Sequence, residues 1–508
     1  MMLASLPISI ATLALAGPAA SLQTALPGAA RVDAYTDKPR LLVLTDIANE
    51  PDDQMSLVRL LIYSNELEIE GLVATTSTWL REGTRPDVIL KVLDAYAQVR
   101  PRLLQHADGY PDAESLRQRV RSGQPGYGMA AVGHDHLSPG AEWILGTADR
   151  DDARPLWVSV WGGANTLAQA LLHARETRSA AELRALLSKL RVYSISDQDD
   201  AGPWLRREFE SLHYVVSPSP PDGSQYREAT WTGISGDRFY KNAPGADFST
   251  FEEAWLDAHI RAKGPLGAHY PDPCCIHEGD TPSFLGLLGN GLASHMSPAF
   301  GGWGGRYVWR QTYGESRPCW TQGGDSYPGN ASSRDTIRGT DGRSYTSDQA
   351  TVWRWRRAFQ HDFAARMDWT VSSRESANHN PLLVVNGEHG RAPVQIAARV
   401  GEALVLDAAG SRDPDGDGLS YEWLFYPEAG TGIPGQPVYA AGRPAYEPRP
   451  GSRGFPELVP RVALAGARTR RATLTPRIAG IAHVILVVED DGSPSLTSYR
   501  RVILKIAP

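Results

Sequence analysis

Cysteine is scarce in this 508-residue chain, with three residues of which Cys274 and Cys275 are adjacent. No disulfide framework can therefore hold the fold, and at most one bridge, from either member of that pair to Cys319, is open to it. Beyond the first thirty residues no apolar run approaches the roughly eighteen needed to cross a bilayer, so the mature chain is expected to have no membrane span. A surplus of positive charge is missing as well. Lys and Arg number 51 against 58 Asp and Glu, a net charge of -7, and they are scattered, which leaves no basic stripe for nucleic acid and no polybasic anchor. Trp161 to Leu167 has neither the Lys-Ser/Thr of a P-loop nor the glycine spacing of a dinucleotide loop, which disfavours nucleoside triphosphates and NAD. A Gly-x-Ser-x-Gly nucleophile elbow at a strand-to-helix turn is also absent.

What is present begins with an apolar stretch, Leu6 to Ala16, followed by small residues at Gly17 to Ala20 and Gly28 to Ala30. This predicts a secretory signal over 1–30, cut near Ala20 or Ala30, and a secreted or periplasmic protein. The 14 Trp and 19 Tyr outnumber the 10 Phe, and such amphipathic rings suit wet, sugar-binding surfaces. At 508 residues the chain exceeds one core, so two or three domains are expected.

The central stretch is Leu41-Leu42-Val43-Leu44-Thr45-Asp46-Ile47-Ala48-Asn49-Glu50-Pro51-Asp52-Asp53. Its apolar run is continuous, as in a parallel strand covered on both faces, and the helical pattern of Met55 to Ile62 follows directly. Strand patterns at Leu67 to Thr75, Pro155 to Val160, Arg191 to Ser196 and Leu212 to Val216 alternate with helical ones at Asp87 to Val99 and Asn165 to Ala174. That alternation predicts an α/β domain over 38–377 with a mostly parallel open sheet. Ligands of such sheets bind outside the carboxyl ends of the strands, where Asp46, Asp53 and the run Ser196-Asp197-Gln198-Asp199-Asp200 all fall. Several carboxylates there need a counter-charge, and Ca²⁺ tolerates irregular oxygen ligands better than Mg²⁺. Acidic residues at the helix start also favour its dipole, which accounts for two of the four acids.

From Tyr270 to Tyr307 the chain turns irregular, with His277-Glu278-Gly279-Asp280 and Gly301-Gly302-Trp303-Gly304-Gly305-Arg306-Tyr307. Four glycines around Trp303 predict either a lid bringing that ring and Arg306 over a sugar, or a structural loop packing the ring inward. Thr351 to Trp369 reads as a helix whose aromatic stripe is core. After a linker at 378–390, short β-like runs at Val394 to Val400, Ala403 to Leu406, Leu419 to Phe425 and Ala482 to Val488 predict a small immunoglobulin-like β-sandwich over 391–508. The turn Asp413-Pro414-Asp415-Gly416-Asp417-Gly418 has the alternate acids of a Ca²⁺ loop, but Leu424 stands where the twelfth-position glutamate belongs, so a plain turn is expected. His134-Asp135-His136, two histidines without a third ligand, reads as a loop.

The Asp46 to Asp53 motif and Asp280 resemble the nucleoside hydrolase superfamily over roughly residues 40–300. The resemblance implies Ca²⁺ bound by Asp46, Asp53, Asp280 and the Asn165 backbone carbonyl, Asp52 on a sugar hydroxyl, and attack of a Ca²⁺-bound water, deprotonated by Asp46, on the anomeric carbon. The spacing departs from that family's pattern. Asp46 precedes Asp52 by six residues rather than four and the usual glycine is gone, which brings Glu50 into consideration as a ligand, with Glu278 a further candidate. Ser194 to Trp204, Glu278 to Ser283, Gly301 to Tyr307 and Ala377 to Pro381 carry a whole-chain resemblance to bacterial cellulose-binding proteins with a nucleoside-hydrolase-like domain and a C-terminal β-sandwich. Together these imply an exported glycoside hydrolase cleaving a glycosidic or N-glycosidic bond, with Gln198 or Asp199 helping to hold ring hydroxyls. The alternative is a carbohydrate-binding protein without turnover. The expected partner is a carbohydrate or glycoside, and the oligomeric state stays open.

Overall fold

The structure is a computed structural model that describes residues 38–508 apart from 134–136, 221–225, 236–244, 274–275, 313, 323–332 and 431–460. The expected signal segment, the Cys274–Cys275 pair and the His134-Asp135-His136 loop lie outside the described residues, and Cys319 is buried. No helix among the described residues is long and apolar enough to cross a membrane.

The first half of the chain alternates strands and helices: β1 (Arg40–Thr45), α1 (Pro51–Ile62), β2 (Glu68–Ala74), α2 (Pro86–His106), β3 (Val120–Ser122), α3 (Pro139–Ala148), β4 (Leu156–Val160), α4 (Asn165–Thr177), α5 (Ala180–Lys189), β5 (Leu190–Ser194), α6 (Ala201–Glu208) and β6 (His213–Val216). With β7 (Val308–Arg310) and β8 (Cys319–Thr321) they build one eight-stranded sheet in the order β3-β2-β1-β4-β5-β6-β8-β7. Every pairing is parallel except the last, β7 against β8. The continuous apolar run of β1 is explained by its central position. Leu41 and Val43 pack into the core on one face, and Leu42 and Leu44 into the core on the other.

After β1 the chain builds outward through β2 and β3, then returns to β4 on the opposite side of β1. The carboxyl end of β1 is thus the switch point of the sheet, where an open crevice forms between diverging connections. Asp46 follows directly on the last residue of this strand.

Thr351 to Trp369 is helical, as expected, but broken at Arg354 and Trp355 into Ala350–Trp353 and α7 (Arg356–Asp368). Its aromatic stripe is core: Trp353, Trp355, Phe359, Phe363 and Trp369 are all buried. Beyond it, β9 (Val394–Arg399), β10 (Leu404–Asp407), β11 (Leu419–Phe425), β12 (Val462–Ala465), β13 (Arg471–Pro476), β14 (Gly480–Asp490) and β15 (Thr497–Ala507) form two sheets, β9-β15-β14-β11 and β10-β13-β12, that share one apolar core. This is a β-sandwich, with two apolar sheet faces burying each other. Residues 378–390 include a short ladder, Val384–Val385 against Glu388–His389, and Asn378 and His379 are buried.

The glycine-rich loop joins the two halves of the molecule instead of covering a site. Trp303 is 1% exposed, edge-on to Phe359 and Tyr499, with its indole N–H 3.4 Å from the Tyr499 hydroxyl. Arg306 is buried against Asp335 at 2.8 Å, and Asp335 also accepts from Tyr426 at 2.6 Å. The guanidinium of Arg501 on β15 donates to the carbonyls of Phe300 and Gly301, both at 2.9 Å. Glycine is required here for close approach: a Cβ on Gly301, whose φ is +70°, would stand 2.3 Å from the Tyr426 hydroxyl. The sugar-stacking lid is therefore replaced by the inward-packed loop, and neither Trp303 nor Arg306 reaches the acidic rim.

Candidate functional site

The rim is assembled from three places: the loop leaving β1, the first turn of α1, and the turn ahead of the short helix Pro282–Leu285. Pro51 opens α1 with its φ preset, and the helix start places Asp52 and Asp53 side by side on free backbone amides. Gly279 admits the third segment, since a Cβ there would stand 2.8 Å from Asp52 Oδ2. Asp52, Asp53 and Asp280 are buried, and one carboxylate oxygen from each lies within 4.8 Å of the others. Ligand oxygens at about 2.3 to 2.6 Å from one shared Ca²⁺ are at most about 5 Å apart, so the three fit such an ion.

Their electrostatics point the same way. Burial, then the charges of Glu50 and Asp46, hold the Asp52 carboxyl well above its usual range. Burial and the charges of Asp46 and Asp52 do the same for Asp53, and burial with Asp53, Asp52 and Asp46 for Asp280. Asp52 Oδ1 and Asp280 Oδ2 are covered and have no hydrogen-bond partner. Among the described residues no Lys, Arg or His is ion-paired with Asp46, Glu50, Asp52, Asp53 or Asp280. Five acids that no described cation pairs, with Asp52, Asp53 and Asp280 clustered and two of the five presenting orphaned oxygens, form a group that could hold a hard divalent cation.

Asp46 sits beside this group, not within it. Its Oδ2 accepts a short hydrogen bond from the Ser77 hydroxyl, and its other oxygen lies under Gly162, where a Cβ would stand 2.5 Å away. Burial raises its carboxyl to about 6, against the lowering effect of Ser77. The departure in spacing explains the displacement of Asp46 from the trio. Between Asp46 and Glu50 the chain needs a left-handed residue, Ala48 with φ +91°, to turn back into α1. Glu50 is brought next to the group, burial and then the Asp46 charge raising it to about 7. Asp52 accordingly occupies a position among the clustered oxygens where the sequence reading places a sugar-binding residue. Thr45 completes the local order, its hydroxyl donating to Asp53 Oδ1 and accepting from the Ile47 amide at 3.1 Å.

The remaining candidates lie around the group. Glu278 is held by Arg59 at 2.7 Å and by the Tyr270 hydroxyl at 2.6 Å, so its charge is already matched and it does not join the cluster. Asn165 sits at the start of α4 with its side-chain amide on the Gly126 carbonyl (2.6 Å) and Thr76 Oγ1 (3.1 Å). Asp199 accepts from the amides of Asn165 and Ala201, both at 3.0 Å, and so caps α4 and α6 at once; burial raises it to about 7 against those bonds. Gln198 donates a short bond to the Trp161 carbonyl. The bonds of Gln198 and Asp199 tie the loop after β5 to the loop after β4.

Sequence reasoning missed Ser77 and Trp79, both in the loop after β2. Ser77 Oγ bonds Asp46 and takes the Trp79 backbone amide at 2.9 Å, while the Trp79 ring, 41% exposed, stands edge-on to Tyr226. A Trp four residues past the end of the strand run Leu67 to Thr75 was the available signal.

Comparison with known proteins accords with this geometry. Residues 40–307 match the family model described as cellulose-binding Sde182, nucleoside hydrolase-like domain, and residues 403–506 match that of the cellulose-binding protein Sde0182 C-terminal domain. The solved structure of a nucleoside hydrolase-related hypothetical protein from Saccharophagus degradans, associated with carbohydrate metabolism, is 32% identical; the alignment covers 92% of this chain and 100% of that one, with a TM-score of 0.73. The PKD domain from KIAA 1837 protein (21% identity, 23% of this chain, 86% of its own, TM-score 0.14) and the type III effector protein XopQ complexed with adenosine diphosphate ribose (12%, 56%, 88%, 0.31) overlap too slightly to bear on the fold. No curated protein matches the chain. With both of its halves matched and a relative aligned along nearly its whole length, the chain belongs to the Sde182 family of cellulose-binding proteins with a nucleoside hydrolase-like domain.

Proposed function

We propose that the protein is an exported, Ca²⁺-dependent glycoside hydrolase acting on a glycosidic or N-glycosidic bond. The observation that supports it most is the buried group Asp52, Asp53 and Asp280, with two orphaned oxygens at the switch point of a parallel sheet. These three residues would hold the ion, with Asp46 and Glu50 alongside. When bound, the ion supplies the missing counter-charge and lowers the pKa of a water it orients.

The chain's own share is positioning and proton transfer. Asp46, near pKa 6 and fixed by Ser77, is mostly ionised at neutral pH yet close enough to it to take up a proton and release it again. Thr45 aims Asp53, and the capping by Asp199 keeps the flanking loops from yielding as substrate enters. Trp79 offers an exposed ring on which a sugar face can stack.

The test is a turnover screen of wild type and Asp53→Asn over β-glucans, aryl glycosides and nucleosides, with and without chelator. Asn keeps the shape at the start of α1 but removes charge from the ion. Turnover that falls by about a hundredfold in Asp53→Asn, and disappears with chelator, is the expected result. Wild-type rates in Asp53→Asn would refute the mechanism.

A carbohydrate-binding protein without turnover is the second reading. It is favoured by Asp46 facing Ser77 rather than the trio, and by the family's description as cellulose-binding. Absence of hydrolysis on every substrate, with cellulose binding retained, would decide for it.

A further inference from the structure

Asp280 comes to the rim from a distant part of the sequence, and it has to stay beside Asp52 and Asp53 against their charges. A stripe on α1 holds the turn that carries it. Asp52, Ser56 and Arg59 stand at i, i+4 and i+7 of that helix and so share one face, and each meets a residue of the 278–281 turn. Asp52 Oδ2 occupies the space that a Cβ on Gly279 would need, Ser56 Oγ accepts from Thr281 Oγ1 at 2.9 Å, and the Arg59 guanidinium holds Glu278 at 2.7 and 3.0 Å. Asp280, between these contacts, is the member of the turn that faces the acids.

Two features of Glu278 are more than stability requires. It forms a fully buried ion pair with Arg59, and such a pair adds little net stability, because taking both charges out of water offsets most of their attraction. Its backbone is also left-handed, with φ +46°, a region that a residue with a Cβ enters only at a cost. Strain of this kind persists where the surroundings over-determine the backbone. Here the Tyr270 hydroxyl donates to the Glu278 carboxylate at 2.6 Å, and the Glu278 carbonyl accepts from the Thr281 amide at 3.1 Å. Arg59 is itself fixed by α7, donating to the Phe359 carbonyl at 3.2 Å with its guanidinium carbon 3.9 Å from the centre of the Phe363 ring. From the other side the Asp280 carbonyl accepts from the Ser283 hydroxyl at 2.5 Å, and Ser283 Oγ takes the Trp161 indole N–H at 3.0 Å.

We propose that Arg59 and Glu278 are positioning residues of the rim: their ion pair sets the left-handed turn that aims Asp280 at Asp52 and Asp53, and so presets the spacing of the three carboxylates for a divalent cation. This role rests on the reading of that group as an ion site. It adds that the chain holds the third carboxylate in place before an ion arrives.

The double variant Arg59→Met/Glu278→Leu separates holding the fold from aiming Asp280. It removes both charges and fills the space with apolar atoms, so its urea midpoint in chelator should stay near that of wild type. Calorimetric titration of CaCl₂ into the full chain, stripped of metal beforehand, should nonetheless show affinity about ten- to a hundredfold below wild type, the usual loss when residues that orient metal ligands are changed. Arg59→Lys keeps the charge without the two-pronged hold, and should show the same loss in smaller measure at an unchanged midpoint if the double variant does not fold. Wild-type affinity in the double variant, or in Arg59→Lys should the double not fold, overturns the proposal and leaves the ion site standing. An affinity loss that only tracks a fall in chelator stability overturns it too, because a pair that merely holds the fold behaves in that way. A wild type that takes up no Ca²⁺ overturns the ion site itself and the positioning role with it.

Discussion

Replacing Asp46 by Asn should stabilise the protein in chelator, by a margin that Ca²⁺ narrows. Burial raises the folded carboxyl from 3.8 to about 6. A rise of about two in pKa, at about 1.4 kcal/mol for each, is worth about 3 kcal/mol. The sign follows from proton counting. Between pH 3.8 and about 6 the folded state keeps a proton that the unfolded state has lost. The stabilisation from a neutral Asp46 is complete below that window and gone above it, leaving a buried charge. Asn is neutral throughout and keeps an oxygen for the Ser77 hydroxyl. In chelator the variant should therefore match wild type near pH 4 and exceed it by about 3 kcal/mol at about pH 7.5. With Ca²⁺ at about a hundred times its dissociation constant, wild type gains about 2.7 kcal/mol by mass action, a gain the variant shares only in part. Urea unfolding at the two pH values reads both effects as midpoint shifts at constant m. A variant less stable than wild type at the higher pH in chelator, or a difference that ignores pH, would refute the account of the acids as an unneutralised group.

Three further outcomes are expected. Trp303→Ala should cost about 3 to 5 kcal/mol of stability by emptying a packed site and leave cellulose affinity unchanged. Trp79→Ala should do the reverse, weakening binding of soluble β-glucan by about tenfold in affinity electrophoresis while the melting temperature stays put. Ala48→Gly should raise stability by about 1 kcal/mol in chelator, because glycine occupies the left-handed region that alanine enters at a cost; an unchanged or lower urea midpoint would count against strain in that turn.

The sheet was legible because its interior strands carry the signal themselves. A run such as Leu41 to Leu44, apolar at every position, is stable only when both faces are covered, and the alternation of such runs with helical patterns leaves little choice of topology. The places of Asp53 and Asp280 in the buried group were legible for the same reason, since they fall at the ends of recognisable elements. The places of Asp46 and Asp52 relative to that group were not. Counting along the chain from a four-residue spacing keeps Asp46 a ligand, whereas the two extra residues are absorbed by a left-handed turn at Ala48 that leaves Asp46 beside the cluster. Gly301 to Tyr307 failed for a different reason. Glycine signals either freedom or crowding, and only the position of Tyr426 against Gly301 decides between them.

The acidic turn of the sandwich shows where reading along the chain ends. Asp413 and Asp417 belong to one loop and announce a Ca²⁺ pattern, and Leu424 then breaks it. Asp490, buried at the end of β14, is placed by strand register: Leu419 pairs with Asp490, and each step toward Phe425 pairs with one step back toward Val484. A slip of one residue would turn Asp490 to the other face of β14 and bring Glu489 or Asp491 opposite Leu419. That register is held by the alternation on β14, where Val484, Leu486 and Val488 must face the core. Asp490 continues the same period of two beyond the apolar residues, so its carboxylate comes down on the inner side of the sheet edge, over the loop and out of water. An acid at the inward phase of a core strand is legible in the sequence, but which loop it meets is fixed only by the register of the ladder.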